Sequence, residues 1–88
     1  MNVRYEKSFV KDLENIREKT LLQRVKDVID EAKKANNIKE INNLKKLKSY
    51  DTFYRIKFGD YRVGIEIANN EIIFTRFLHR KEIYRFFP

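Results

Sequence analysis

The sequence predicts an α+β domain, an N-terminal helical hairpin packed on one face of a mainly antiparallel β-sheet. Three observations carry this. Apolar residues recur at helical spacing before Asn36, the spacing changes to alternation after Tyr50, and the dipeptides Gly59-Asp60 and Asn69-Asn70 cut the alternating stretch into strands. A chain of 88 residues has material for one core, so residues 1–88 are read as a single domain.

Val3-Arg4-Tyr5 reads as a short strand. Ser8 is the predicted N-cap of a first helix, and Phe9, Leu13 and Ile16 follow at i, i+4 and i+7 to give it one apolar face. Thr20 and Gln23 have the spacing of a capping box. They would open a second helix whose buried face is Leu22, Val25, Ile29 and Ala32, with Val28 beside them. Asn36-Asn37 ends it, because asparagine competes with helical hydrogen bonding and tolerates the left-handed conformation. The short link makes the two helices an antiparallel hairpin.

Residues 38–49 are transitional. Ile38, Ile41, Leu44 and Leu47 fit a short third helix or a packed loop, and Lys39, Lys45, Lys46 and Lys48 form the densest basic run in the chain. Such a run is either a solvated face or a nucleic-acid contact, and the pattern alone allows both.

Three strands then form a meander: Phe53 to Phe58, Tyr61 to Ile67 and Glu71 to Leu78. The tail after His79 is too charged for a buried strand. A turn and a short helical or irregular segment are expected there, packing Ile83 and either Phe86 or Phe87 on the sheet.

Composition removes several classes of function. The absence of cysteine excludes disulfides and thiolate metal sites, and a single histidine leaves structural zinc short of ligands. No metal and no cofactor is expected. The first residues, Met1 to Lys7, have no apolar run behind their charges, and no stretch approaches the roughly 20 apolar residues that cross a bilayer. A cytoplasmic location is therefore expected, without membrane contact. A net charge of +7 favours a polyanion or an acidic protein as partner, although a basic surface that only confers solubility has the same charge.

Alternation decides which side chains share a face of the sheet. Tyr54, Ile56 and Phe58 belong with Tyr61, Val63, Ile65 and Ile67 against the helices. Arg55, Lys57 and Arg62 then share the opposite face, which the two-layer fold leaves open, and Gly64 leaves space among them. Three neighbouring cations repel one another, a cost that a bound phosphate offsets. Basic residues on a solvated face need no ligand, so alternation alone does not decide between these readings.

The stretch Phe53-Tyr54-Arg55-Ile56-Lys57-Phe58-Gly59-Asp60-Tyr61-Arg62-Val63-Gly64-Ile65-Glu66 resembles the central hairpin of the RelE/ParE family of toxins. His79-Arg80-Lys81-Glu82-Ile83-Tyr84 is similar to the C-terminal signature of the same family, and Leu44-Lys45-Lys46-Leu47 fits its approach to the sheet. The resemblance implies the toxin of a type II toxin–antitoxin system, with a cognate antitoxin as partner and operator DNA met only through that complex. In the RelE branch it implies an mRNA endoribonuclease that works in the ribosomal A site without a metal. The ParE branch instead poisons DNA gyrase, without enzymatic activity.

By motif position the resemblance assigns catalysis to Lys57, Arg62, His79, Arg80 and Tyr84, and RNA binding to Arg55 with Lys45, Lys46 and Lys48. The implied reaction is attack of a ribose 2′-OH on its adjacent phosphate. Arg62 and Arg80 would clamp the phosphate through their forked donors. Lys57 would stabilise charge or take the proton, and Tyr84 would stack on a base. Arg55 stands where the family's RelE-type pattern carries a lysine. A guanidinium keeps its proton, so Arg55 is unsuited to be the general base, and His79 is the substitute this sequence offers.

Overall fold

A computed structural model describes residues 1–88 and contains five strands and three α-helices. In chain order these are β1 (Asn2–Tyr5), α1 (Lys7–Glu14), α2 (Lys19–Lys34), a 3-10 turn (Ile38–Glu40), β2 (Leu44–Lys46), β3 (Phe53–Phe58), β4 (Tyr61–Ala68), β5 (Glu71–His79) and α3 (Ile83–Phe86). The sheet order is β1-β5-β4-β3-β2. β1 runs parallel to β5 and every other neighbouring pair is antiparallel, as an α+β fold with a returning N-terminal strand requires.

Helices α1 and α2 cover one face of the sheet. Phe9, Leu21, Val25 and Ala32 pack on Ile56, Val63, Ile65, Ile72, Phe74 and Phe77. Burying each large side chain of this kind is worth about 1.5–3 kcal/mol, so the cluster dominates stability. The meander turns form where expected. Gly59 has φ +60°, and Asn69 and Asn70 have φ 53° and 60°, the left-handed values a tight hairpin needs.

Local expectations for the helices need correction. α1 starts one residue before Ser8 and its N-cap is Glu6, while the Ser8 hydroxyl donates to the Thr75 carbonyl at 2.7 Å. Ser8 therefore tethers α1 to β5. The capping box of Thr20 and Gln23 does not form. The N-cap of α2 is Glu18, the Thr20 hydroxyl donates to Glu18 Oε1 at 3.0 Å, and Gln23 Nε2 donates to Asp27 Oδ1 at 3.1 Å. On the helix as it packs, Leu21 is buried and Leu22 only half-buried, so the buried face is shifted from the one expected. Ile16 lies just beyond α1, where its backbone N–H closes on Leu13 and its side chain still meets the core. α2 ends at Lys34 with extended backbone at Ala35, and Asn37 instead caps the 3-10 turn by accepting from the Lys39 N–H at 2.9 Å. The transitional segment holds an unexpected strand, β2, which pairs with β3 at the sheet edge.

The second face of the sheet is only partly open. After β5 the chain turns back over it, and α3 seats Ile83 while Phe87 follows it down; both are almost fully buried. Phe87, not Phe86, is the anchor. Its ring lies directly over Gly64, so the space that the glycine was expected to leave is filled by this tail residue.

Candidate nucleic-acid interface

The register of β2, β3, β4 and β5 builds the cationic surface as rows across the sheet. Lys45, Arg55, Gly64 and Arg76 are successive partners in one row. Lys57, Arg62 and Leu78 form the next, roughly 7 Å along the strands. Arg55, Lys57 and Arg62 thus share the face opposite α1 and α2, as alternation implies.

These cations differ in what holds them. Arg76 is committed to structure: its Nε and Nη2 donate to Asp12 at 2.8 and 3.0 Å, and Asp12 also accepts from the Phe77 N–H at 2.9 Å. The hydrogen bond to Asp12 raises the Arg76 pKa above the ordinary guanidinium value, outweighing the opposing effect of burial. Arg55 donates to the Asn43 carbonyl at 3.2 Å. Arg62 folds back on the hairpin turn and donates to the carbonyls of Gly59 and Tyr61, each at 2.8 Å. The molecule's ion pairs are Arg4–Glu71, Arg76–Asp12 and Arg80–Asp60. Lys45, Lys46, Lys48, Arg55, Lys57 and Arg62 take part in none of them, so their charge is free for an anion.

Two adjoining clefts sit where this face meets the tail. One, of about 220 Å³, is lined by Lys45, Lys46, Leu47, Lys48, Arg55 and Tyr84. The other, of about 270 Å³, is lined by Leu47, Lys48, Tyr50, Tyr84, Phe87 and Pro88. Tyr84, 58% exposed, belongs to both. A cationic cleft beside an aromatic one suits a nucleotide, whose phosphate is anionic and whose base is flat. The structure therefore brings together Arg55, Lys45, Lys46, Lys48 and Tyr84.

The remaining expected site residues lie at the β3–β4 turn. The Arg80 N–H donates to the Asp60 carbonyl at 2.7 Å, and its guanidinium stands 4.0 Å from the Asp60 carboxylate. His79 is placed differently from the cations. It pairs with Tyr61 across β4 and β5, and its ring meets the Tyr61 ring edge-on at 5.6 Å, on the side that α1 and α2 cover. The same alternation that groups Lys57 with Arg62 puts His79 on the other side. Its Nδ1 accepts from the Lys81 N–H at 3.1 Å, which assigns the neutral-form proton to Nε2.

The sequence matches the family model of the ParE toxin of the type II toxin–antitoxin system parDE over residues 3–84. Toxin RelE3 of Methanocaldococcus jannaschii is 43% identical over 89 residues, with all of both chains covered. The chain belongs to the RelE/ParE toxin family. It is the toxin component of a type II toxin–antitoxin system.

Solved RelE/ParE structures agree in fold. A chain of the RelB-RelE antitoxin-toxin complex from Methanococcus jannaschii matches this toxin with a TM-score of 0.82 at 41% identity, covering 97% of this chain and 99% of that one. A chain of the archaeal RelE-RelB complex from Pyrococcus horikoshii OT3 gives a TM-score of 0.73 at 24% identity, covering 90% and 93%. The clefts of this RelE/ParE toxin are also lined by residues that the sequence did not single out for the site, Leu47, Tyr50 and Phe87, and the Asp12–Arg76 bridge lies at the edge of the face. One signal was legible. A glycine in mid-strand marks close approach by something else, and here it is Phe87.

Proposed function

We propose that this toxin is a metal-independent mRNA endoribonuclease that works on translating ribosomes and so stops protein synthesis. The observation that carries the reading is the pair of clefts in which unpaired cations and an exposed tyrosine converge. Lys45, Lys46, Lys48 and Arg55 neutralise the message backbone, and Tyr84 stacks on a base. Lys57, Arg62 and Arg80 gather on the phosphate as charge develops, Arg62 leaving its turn carbonyls to do so. The 2′-oxygen attacks phosphorus and the bond to the 5′-oxygen breaks, leaving a cyclic phosphate and a 5′-hydroxyl. On this face the side chains able to carry a proton include Lys57, Tyr84 and the lysines of the cleft, and strand parity puts His79 on the other side of the sheet.

The likeness to RelE proteins found in complexes with RelB supports a cognate antitoxin as partner. The net charge of +7 suits an acidic segment on that partner, and operator DNA is met through the antitoxin complex. No helix is long and apolar enough to cross a membrane. The place of action proposed is the cytoplasm, where messages are translated.

Primer extension on RNA from induced cells tests the reading. Cuts within translated codons are expected, and they should vanish in Arg62→Ala and Arg80→Ala proteins that remain folded. Intact transcripts under full growth arrest sink it. Intact transcripts together with a DNA-damage response would instead support gyrase poisoning of the ParE kind.

A further inference from the structure

We infer that Gly64 and Phe87 are a positioning pair that holds Tyr84 in the nucleotide clefts. The inference rests on the reading of those clefts given above, and neither residue is proposed to touch the message.

Apart from the Phe86 ring, which lies 5.5 Å from the Arg76 guanidinium, the tail has little else to fix it. α3 is a single turn of four residues, Ile83–Phe86, and is too short to be stable by itself. Two side chains pin it to the sheet: Ile83 is fully buried and Phe87 is 2% exposed. Tyr84 lies between these pins and points outward. The Phe87 N–H closes the turn on the Ile83 carbonyl at 2.8 Å, so the position of Phe87 sets the orientation of the whole turn.

The seat of Phe87 exists because residue 64 has no side chain. A Cβ built on Gly64 would meet three atoms of the Phe87 ring at 2.7–2.8 Å, a distance at which one of the two must move. The ring also packs edge-on against Phe53 at 5.6 Å, and Phe53 in turn against Tyr50 at 5.6 Å. Gly64 occupies the row between Arg55 and Arg76. A ring seated there brings the tail, and Tyr84 with it, beside Arg55 and the lysines of β2. A side chain at position 64 therefore displaces the aromatic wall of the clefts without touching the main core.

The test uses the Gly64→Ala toxin, Phe87→Ala alone, and the two changes together. Two readouts are taken: cleavage of mRNA in induced cells, and NMR contacts between the Tyr84 ring and the Leu47 methyls, which line the same clefts. Gly64→Ala should keep its cooperative thermal transition, lose the Tyr84–Leu47 contacts and lose at least about tenfold in cleavage, the loss a displaced binding group gives. Adding Phe87→Ala to the Gly64→Ala toxin should lower cleavage little further, because both changes unseat the same ring, and a fully additive loss overturns the pairing. Should Gly64→Ala fail to fold, Phe87→Ala carries the same expectation, because its tail is unpinned. Unchanged contacts in the folded variant overturn the inference, and so does full cleavage after the contacts are lost. A wild-type toxin that cleaves nothing but shows the expected contact changes would overturn the nuclease reading and leave the positioning pair standing.

Discussion

Single residues separate the work of this toxin into charge that binds and charge that holds the fold. Arg55 stands in the cationic cleft with no carboxylate partner, whereas Arg76, its neighbour but one in the same row, is bound to Asp12. Arg55→Ala should therefore weaken cleavage and leave the melting temperature within about 4 °C, as expected of a surface change worth under 0.5 kcal/mol. His79→Gln should leave cleavage within about threefold, since loss of a true general acid or base costs roughly 10²–10⁴-fold. A drop of that larger size in the induced-cell cleavage assay would return His79 to the chemistry.

Asp12→Ala acts on stability. It strands the half-buried Arg76 and the Phe77 N–H, and should cost about 3 kcal/mol, seen as a melting point lower by on the order of 15 °C. The pH dependence has a definite sign. Because the Arg76 pKa is raised, its contribution is fully present below the ordinary guanidinium range and lost only as pH rises through the raised value. The arginine side of the bridge thus gives no slope near neutrality.

Whole elements were legible where their signal was local. Alternation and turn chemistry located β3, β4 and β5, and helical spacing located α1 and α2, because each pattern is written within a few residues. β2 was hidden. Leu44-Lys45-Lys46 has a single apolar residue and becomes a strand only by pairing with the edge of β3. The caps were misplaced because Ser8 and Thr20 spend their hydroxyls elsewhere, on the Thr75 carbonyl and the Glu18 carboxylate, and no nearby residue announces this. The Asp12–Arg76 bridge joins residues 64 apart, beyond the reach of any window. In the site, Arg55, Lys57 and Arg62 were readable from strand parity, whereas Lys45, Lys46, Lys48, Arg80 and Tyr84 came from the family resemblance. The grouping of cations with Tyr84 depends on β2 and on how the tail folds back. The β4–β5 turn provides a test at this scale. Both asparagines have positive φ, so Asn70→Gly should be neutral or slightly stabilising, and Asn70→Val should cost about 1–3 kcal/mol by denaturant titration.

At the scale of the molecule, the proposed binding of RNA rests on a net charge of +7 and on the cations that line the smaller cleft. Each phosphate engaged on a single strand contributes roughly −0.7 to the slope of log affinity against log salt. If three of the four cations in the smaller cleft engage the message, a short single-stranded RNA should show a slope near −2, and Arg55→Ala should reduce it by about 0.7. Fluorescence anisotropy over a salt series measures this. A slope near zero would deny the cleft any role in holding a polyanion.

The sheet order carries a consequence for synthesis. β5, the last strand made, lies between β1 and β4, so the first strand has no partner until the last has emerged. Phe9 likewise waits for Phe74. A ribosome delivers the chain from its N-terminus, and the residues that close the clefts, Tyr84 and Phe87, follow every strand of the sheet. The nascent polypeptide lacks a closed sheet and finished clefts until β5 and the turn after it have been made. The action on messages proposed above can begin only once those residues have emerged, and from that moment a cognate antitoxin can meet a folded toxin.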